Sequence, residues 1–317
     1  MTAAAPAAIL AEGLARTYGE VRAVDGIDLH VAPGEIYGFL GPNGAGKSTT
    51  VRMLTTLARP SGGRAVVAGH DVATDPDGVR LRIGVALQEA ALDAKQTGRE
   101  LLDLQGRLYG LNRAERAQRS DDLARLVDLG TALDRRVGTY SGGMKRRLDL
   151  ALALVHHPEV LFLDEPTTGL DPASRAMVWA EVRRLNVEQG MTIFLTTQYL
   201  EEADELAHRV GIIAAGRIVA EGTPAALKRS IGTDVIVARV HGDLAAARTA
   251  VAAVPGVERV DIHGGELTAS VADGAAALSP VAVALAGCGV HVAGITLRTP
   301  TLDDVFLETT GSHLDAS

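Results

Sequence analysis

The sequence predicts an α/β chain of two domains: a largely parallel sheet carrying a phosphate-binding loop, then a small α+β unit of ferredoxin-like type. Three observations support this. The first ninety residues alternate short β-patterned runs with Gly/Pro/Asp turns, and strand-length apolar runs then alternate with helical patterns, the order that gives parallel strands. The stretch GPNGAGKS, Gly41 to Ser48, lies between a strand-like run and a helical one. Past residue 231 the order becomes strand, helix, strand, strand, helix, strand.

A length of 317 residues suits about two domains. Hydrophobic residues make up 47% and aromatics only 3%, so the core must be built mainly from Ala, Val, Leu and Ile. The net charge of −8 gives no general attraction to phosphate backbones, and no nucleic-acid partner is expected. Cys288 is the single cysteine, which excludes an internal disulfide, suits a reducing compartment and reads as a small core residue. MTAAAPAAIL lacks the basic and apolar regions of a signal peptide. No apolar run reaches the roughly 18 to 20 residues of a spanning helix, so a membrane role requires a partner.

EIYGFL, Glu35 to Leu40, is strand-like, and VRMLTTLARP after the loop predicts Val51, Leu54 and Leu57 on one helical face. Residues 97–157 turn helical and charged. Leu101, Leu104 and Leu108 share a predicted face, and LNRAERAQRSDDLARLVDLG reads as a polar amphipathic helix. Ser141 is placed to cap a helix carrying Leu148, Ala151, Leu152 and Val155, which stops before Pro158. VLFLDEP and MTIFLTT are unbroken apolar runs, hence buried strands, separated by a helix from Pro172 to about Glu188. YLEEADELAH gives another helix, and RVGIIAAGRIVAEG two short strands about Ala-Gly. Composition loosens around 223–233 and sets a boundary near residue 231: domains 1–230 and 231–317, with a helical subdomain at about 97–157. A last helix, TLDDVFLETT, carries Leu302, Val305 and Phe306 on one face with Thr301 as its N-cap.

GPNGAGKS fits G-x-x-x-x-G-K-[ST] in the strand-to-helix context that the chemistry requires. Its glycines let backbone N–H groups close around phosphates, and the helix end adds a favourable dipole. Lys47 is placed to reach β- and γ-phosphates and the Ser48 hydroxyl to bind Mg2+; a glycine-rich turn matching by chance is the alternative. Asp164 ends a buried strand and Glu165 follows it. Such a pair suits metal placement through water and proton removal from an attacking water, against the alternative of a solvated turn. Ser141-Gly142-Gly143 opens a helix and offers a second anion site, for which a plain cap is the alternative. A nucleoside triphosphate has one terminal phosphate. Two such helix ends in one chain therefore point to a head-to-tail pair, in which Ser141 and Gly143 of one copy complete the other's site.

With these motifs in order, the chain resembles the nucleotide-binding subunits of ABC transporters over roughly residues 8–230. The resemblance implies a P-loop NTPase of the ABC type: a RecA-like core with antiparallel β and α-helical subdomains, which binds ATP with Mg2+ and hydrolyses it. It assigns adenine stacking to Tyr18 in RTYGEVRAV, and the phosphates to Gly41, Pro42, Asn43, Gly44, Ala45, Gly46, Lys47, Ser48 and Thr49. Gln88 in VALQEAALD corresponds to the glutamine that senses Mg2+ and the membrane partner, so the implied metal set is Ser48, Gln88 and Asp164. Ser141, Gly142 and Gly143 form the signature, flanked by Tyr140 and Met144 where the family usually has Leu and Gln. Asp171 in TGLDP resembles the residue that links the two sites across the dimer.

The family usually places a histidine where Gln198 stands in TTQYLEEAD. A glutamine amide donates a hydrogen bond to a phosphate oxygen but takes no proton. Catalysis is therefore expected to rest on Glu165 as base, with Lys47 on the phosphates and Gln198 as a positioning donor worth about 1.5 to 3 kcal/mol. EAALDAKQTGREL, TTQYLEEAD and the closing RTPTLDDVFLETTG resemble the daunorubicin-resistance type of exporter ATPase. That likeness implies a separate integral membrane permease, drug, antibiotic or lipid efflux, and a place on the cytoplasmic face of the membrane. Surfaces near Gln88 and the helical segment beginning at Thr97 are expected to receive the permease's cytoplasmic helix. Two other classes compete: a non-transport ABC ATPase, disfavoured by the acidic balance and the single ATPase unit, and a nucleotide-gated dimerisation module with low turnover.

Overall fold

Three of the chain's four phenylalanines meet in one sheet: Phe39 and Phe162 lie 5.4 and 5.6 Å from Phe194, and Tyr37 stacks on the same ring at 5.6 Å. The computed structural model describes residues 6–87, 92–263 and 266–310 and divides into two units between Pro224 and Ala225.

The first unit begins with β1 (Ile9–Tyr18), β2 (Val21–Val31), β3 (Ile36–Leu40), α1 (Lys47–Leu54), β4 (Gly62–Val67), β5 (His70–Asp71), α2 (Pro76–Arg80) and β6 (Ile83–Ala86). Three helices follow: α3 (Gly98–Leu108), α4 (Arg113–Leu126) and α5 (Gly142–Ala153). It closes with β7 (Val160–Asp164), α6 (Pro172–Gln189), β8 (Thr192–Thr197), α7 (Leu200–Leu206), β9 (Arg209–Ala214) and β10 (Arg217–Gly222). Strands β10-β9-β3-β8-β7-β6 make one sheet, parallel except for β10. Every residue of β3, β7 and β8 is buried, because both faces of a parallel sheet are covered; continuous apolar sequence is the result. A second, antiparallel sheet has the order β2-β1-β4-β5.

The aliphatic periodicity misplaces two faces. Helix α1 stops at Leu54, and Leu57 is 60% exposed rather than on the core face. Thr56 takes a left-handed backbone there, with φ 62°, and turns the chain toward β4. On α3 the inner face is Gly98, Leu102 and Gly106, while Leu104 and Leu108 are 45% and 73% exposed. A Cβ on Gly106 would lie 2.8 Å from the Arg116 side chain, so close approach to α4 replaces leucine packing at that point. Elsewhere α3 to α5 bury Leu102, Leu123, Leu133, Leu148 and Ala151 in one core that reaches the parallel sheet.

The second unit contains α8 (Pro224–Ile231), β11 (Asp234–His241), α9 (Leu244–Ala252), β12 (Val257–His263), β13 (Glu266–Val271), α10 (Gly274–Gly287), β14 (His291–Arg298) and α11 (Leu302–Thr310). Its antiparallel order β12-β13-β11-β14 is that of a split βαββαβ unit, with Ala247, Val251, Val281 and Leu285 of α9 and α10 filling the core. The division at Pro224 gives α8 to this unit, whereas the boundary near residue 231 falls at the end of that helix. Thr301 caps α11: its Oγ1 accepts from Asp304 N at 3.2 Å, and its own N–H donates to Asp304 Oδ2 at 2.8 Å. Leu302, Val305 and Phe306 of that helix are buried.

Candidate active site

Strands β3, β8 and β7 run side by side and parallel, so the segments that follow them emerge at one edge of the sheet. After β3 the chain closes a tight loop and enters α1. Gly46 caps that helix with φ 112°, and a Cβ there would lie 2.5 Å from Ala23 O; one on Gly41 would lie 2.4 Å from Ile213 O. Glycine alone fits at either place. Gly216 N donates to Ala45 O at 3.0 Å and Gly216 O accepts from Asp25 N at 2.8 Å, mooring the loop between the two sheets. The first-turn N–H groups of α1 have no partner inside the helix and are available to an anion.

A cleft of 180 Å³ opens above the loop, lined by Pro42, Asn43, Gly44, Lys47, Ser48 and Thr49 together with Glu165. Lys47 is buried, with Nζ donating to Gly41 O at 2.6 Å and Pro42 O at 3.2 Å, and Glu165 Oε1 lies 3.9 Å away. Burial lowers the pKa of this ammonium, while Glu165 and Asp164 oppose the shift.

Both acids at the end of β7 are buried. Thr196, which pairs with Asp164 across the β7–β8 register, donates its hydroxyl to Asp164 Oδ1 and accepts from Glu165 N at 3.1 Å. Glu165 N also donates to Thr196 O at 3.0 Å, and Glu165 Oε2 accepts from Thr168 Oγ1 at 3.2 Å. Glu165 holds φ 48°, a left-handed backbone that a residue with a Cβ keeps only when its surroundings impose it. Arg146 of α5 donates to Asp164 O and Pro166 O, on either side of Glu165. Sequence reasoning missed Thr196, Thr168 and Arg146; the one available signal was a pair of threonine hydroxyls at the end of an otherwise apolar run.

Gln198 is half-buried one residue past β8, the strand that lies between the loop-bearing β3 and the acid-bearing β7. Tyr18 ends β1 and is 43% exposed; the Arg16 guanidinium carbon lies 4.4 Å from its ring centre, covering one face. Ser141 caps α5 through Met144 N at 3.3 Å; both Ser141 and Gly142 are exposed, and neither is among the residues lining the Lys47 cleft. A Cβ on Gly143 would meet Ser174 Oγ at 3.0 Å, so this corner packs against the start of α6. There Asp171 is a helix cap: its Oδ1 accepts from Ser174 N at 3.0 Å and its Oδ2 from Ser174 Oγ at 2.6 Å, which holds its carboxyl below the usual range. The two unusual flanking residues are accommodated locally. Tyr140 buries its ring and donates to Ala132 O at 2.6 Å, and Met144 packs on the helical core. Gln88 lies outside the described residues.

A glycine loop around a buried lysine, a buried acid pair and a Ser-Gly-Gly helix end exposed at Ser141 and Gly142 define an ABC-type P-loop cassette. A family model described as ABC transporter matches residues 24–168, and one described as ATP-binding protein DrrA1-3-like, C-terminal domain, matches residues 222–310. The chain is 51% identical over 309 residues to daunorubicin resistance ATP-binding protein DrrA3 of Streptomyces coeruleorubidus, covering 97% of each protein. It is 43% identical over 314 residues to Nod factor export ATP-binding protein I of Paraburkholderia xenovorans, covering 97% of this chain and 98% of that one. A solved structure of cbiO1 from Clostridium perfringens, part of the ABC transporter complex cbiONQ, aligns with TM-score 0.66 at 26% identity over 70% of this chain and 91% of that one. The chain belongs to the ABC transporter family, among its ATP-binding ATPases.

Proposed function

We propose that this chain is the ATP-hydrolysing subunit of an exporter, working as a head-to-tail pair beside a separate integral membrane permease. The observation that carries the reading is the division of labour between two helix ends. That of α1 lines the cleft that holds Lys47 and Glu165, whereas at the start of α5 Ser141 and Gly142 are exposed. An outward anion site is explained by a neighbouring copy whose nucleotide it completes.

In the proposed reaction Glu165 takes a proton from water as the water oxygen attacks the γ-phosphorus, and the bond to the β-phosphate oxygen breaks to leave ADP and phosphate. Lys47 and the N–H groups of residues 44–49 hold the phosphates, Gln198 donates its amide hydrogen, and Tyr18 stacks on the adenine. Asp171 contributes from the start of α6 to the link between the paired sites. Ser48 and Asp164 offer the hard oxygen donors that suit Mg2+, with Gln88 as third member; the ion would neutralise charge on the β- and γ-oxygens. The cargo class, drug, antibiotic or lipid, is inferred from relatives named for daunorubicin resistance and for Nod factor export.

For the permease, the proposed seat is a groove of 410 Å³ lined by Leu57, Leu87, Leu92, Gln105, Tyr109 and Leu152. Leu104 and Leu108 stand exposed on the same helix as Gln105, an apolar surface of the kind that marks a partner site. Among the described residues no helix is long and apolar enough to cross a membrane, so attachment to its cytoplasmic face would run through the permease.

Steady-state ATP turnover tests the assignment. Glu165→Gln is expected to lose roughly 10²- to 10⁴-fold in kcat, and Gln198→Ala about 10- to 100-fold. Full turnover in Glu165→Gln overturns the reading.

A further inference from the structure

Arg146, one turn past the Ser141 cap, is only 9% exposed, and none of the roles above uses it. Its Nε donates to Pro166 O at 3.0 Å and its Nη2 to Asp164 O at 3.2 Å. Nη1 donates to Leu87 O at 2.6 Å and to Asp149 Oδ2 at 3.0 Å. Two of these acceptors bracket Glu165, the residue held in left-handed backbone. Burying a guanidinium is costly, and burial lowers its pKa even with Asp149 opposing the shift. An aliphatic side chain would fill the same space without that cost, but it would leave the carbonyls of both loops unpaired. The planar fork serves three carbonyls on two separate backbone segments at once, which a lysine ammonium at the end of a flexible stem does not.

We propose that Arg146 is a positioning residue for hydrolysis: its guanidinium fixes the backbone on both sides of Glu165 and joins it to the helix that Ser141 caps. This rests on Glu165 acting as the base. In a head-to-tail pair, α5 would meet the neighbour's phosphates with its first turn and hold its own chain's base with its second. Seating of one nucleotide is thereby reported to the acid of the other site. Asp149, a further turn along α5, orients Nη1 and lines the groove proposed for the permease.

The test is Arg146→Met, which keeps length and apolar contact and removes every donor. Expected is a fall in kcat of roughly 10- to 100-fold, with ATP affinity by equilibrium dialysis changed less than about twofold, because no phosphate contact is lost. Arg146→Lys should regain part of the rate, since it reaches one carbonyl at a time. In case Arg146→Met fails to fold, Arg146→Lys is assayed by itself and must still separate kcat from affinity. Wild-type kcat in Arg146→Met overturns the proposal, as does a parallel loss of kcat and ATP affinity in both variants. Glu165→Gln, run alongside, separates the two ideas: full turnover there removes the base assignment, whereas loss there with wild-type kcat in Arg146→Met removes only the positioning role.

Discussion

At the start of α1 the cap is Gly46, left-handed at φ 112° and pressed so close to Ala23 that no side chain fits. At the start of α5 the cap is Ser141, extended at φ −67°, exposed, and closing its hydroxyl onto Met144 N. Both are helix N-termini with positive dipole ends. The first is over-determined by its own chain: two sheets hold the loop through Gly216, and a lysine and an acid close the cleft. The second satisfies its own cap, packs Gly143 against Ser174 and leaves Ser141 and Gly142 exposed. On the proposed pairing, the α1 site is complete within its own chain and the α5 site only with a neighbour, and exposure is what separates them.

A mixing experiment tests the two helix ends most severely. Lys47→Ala spoils the α1 end and Gly143→Asp spoils the α5 end, the latter by placing a carboxylate where phosphate would lie. Each variant is expected to lose nearly all turnover by itself. An equimolar mixture should recover up to about a quarter of wild-type turnover, because half the pairs are mixed and each keeps one intact site. No recovery would mean that the α5 end serves no neighbour.

A smaller effect sharpens the contrast between the exposed cap of α5 and its buried second turn. Burial raises the Asp149 carboxyl from 3.8 to about 6, with Arg146 opposing. The folded chain thus holds that proton more tightly than the unfolded chain does. Relative to Asp149→Asn, the wild type loses stability as pH rises from 3.8 to about 6 and stays lower above that window. Urea denaturation should find Asp149→Asn more stable by about 1 to 3 kcal/mol at pH 8 and indistinguishable from wild type near pH 4. Equal stability at both pH values would place the carboxyl in an ordinary environment.

The smallest effect is expected at Tyr18, the proposed adenine contact. Tyr18→Ala is expected to weaken ATP binding about 2- to 10-fold, the size of one stacking contact, as read by titration calorimetry. Unchanged affinity would leave Tyr18 as a partner of Arg16 alone.

The parallel sheet was legible because burial on both faces writes itself as unbroken apolar runs, as in VLFLDEP and MTIFLTT. The same logic failed on α3, where leucines at helical spacing are also what an exposed partner surface looks like. Leu104 and Leu108 point outward while two glycines and Leu102 take the inner face. Thr196 was hidden for a related reason: its hydroxyl serves Asp164 and Glu165 on the neighbouring strand, so its purpose lies in the register.

What the sequence determined by itself is local. Glycine spacing in residues 41–48, the caps at Ser141 and Thr301, and the strand–helix alternation act over a few residues and leave their mark there. Tertiary structure alone decided how Glu165 is held. The partners of Arg146 lie 18, 20 and 59 residues away along the chain, and a guanidinium finds three such carbonyls only after strands and helices have packed. Hydrogen-bond acceptors on the backbone carry no residue identity, so no pattern of letters could have pointed to them.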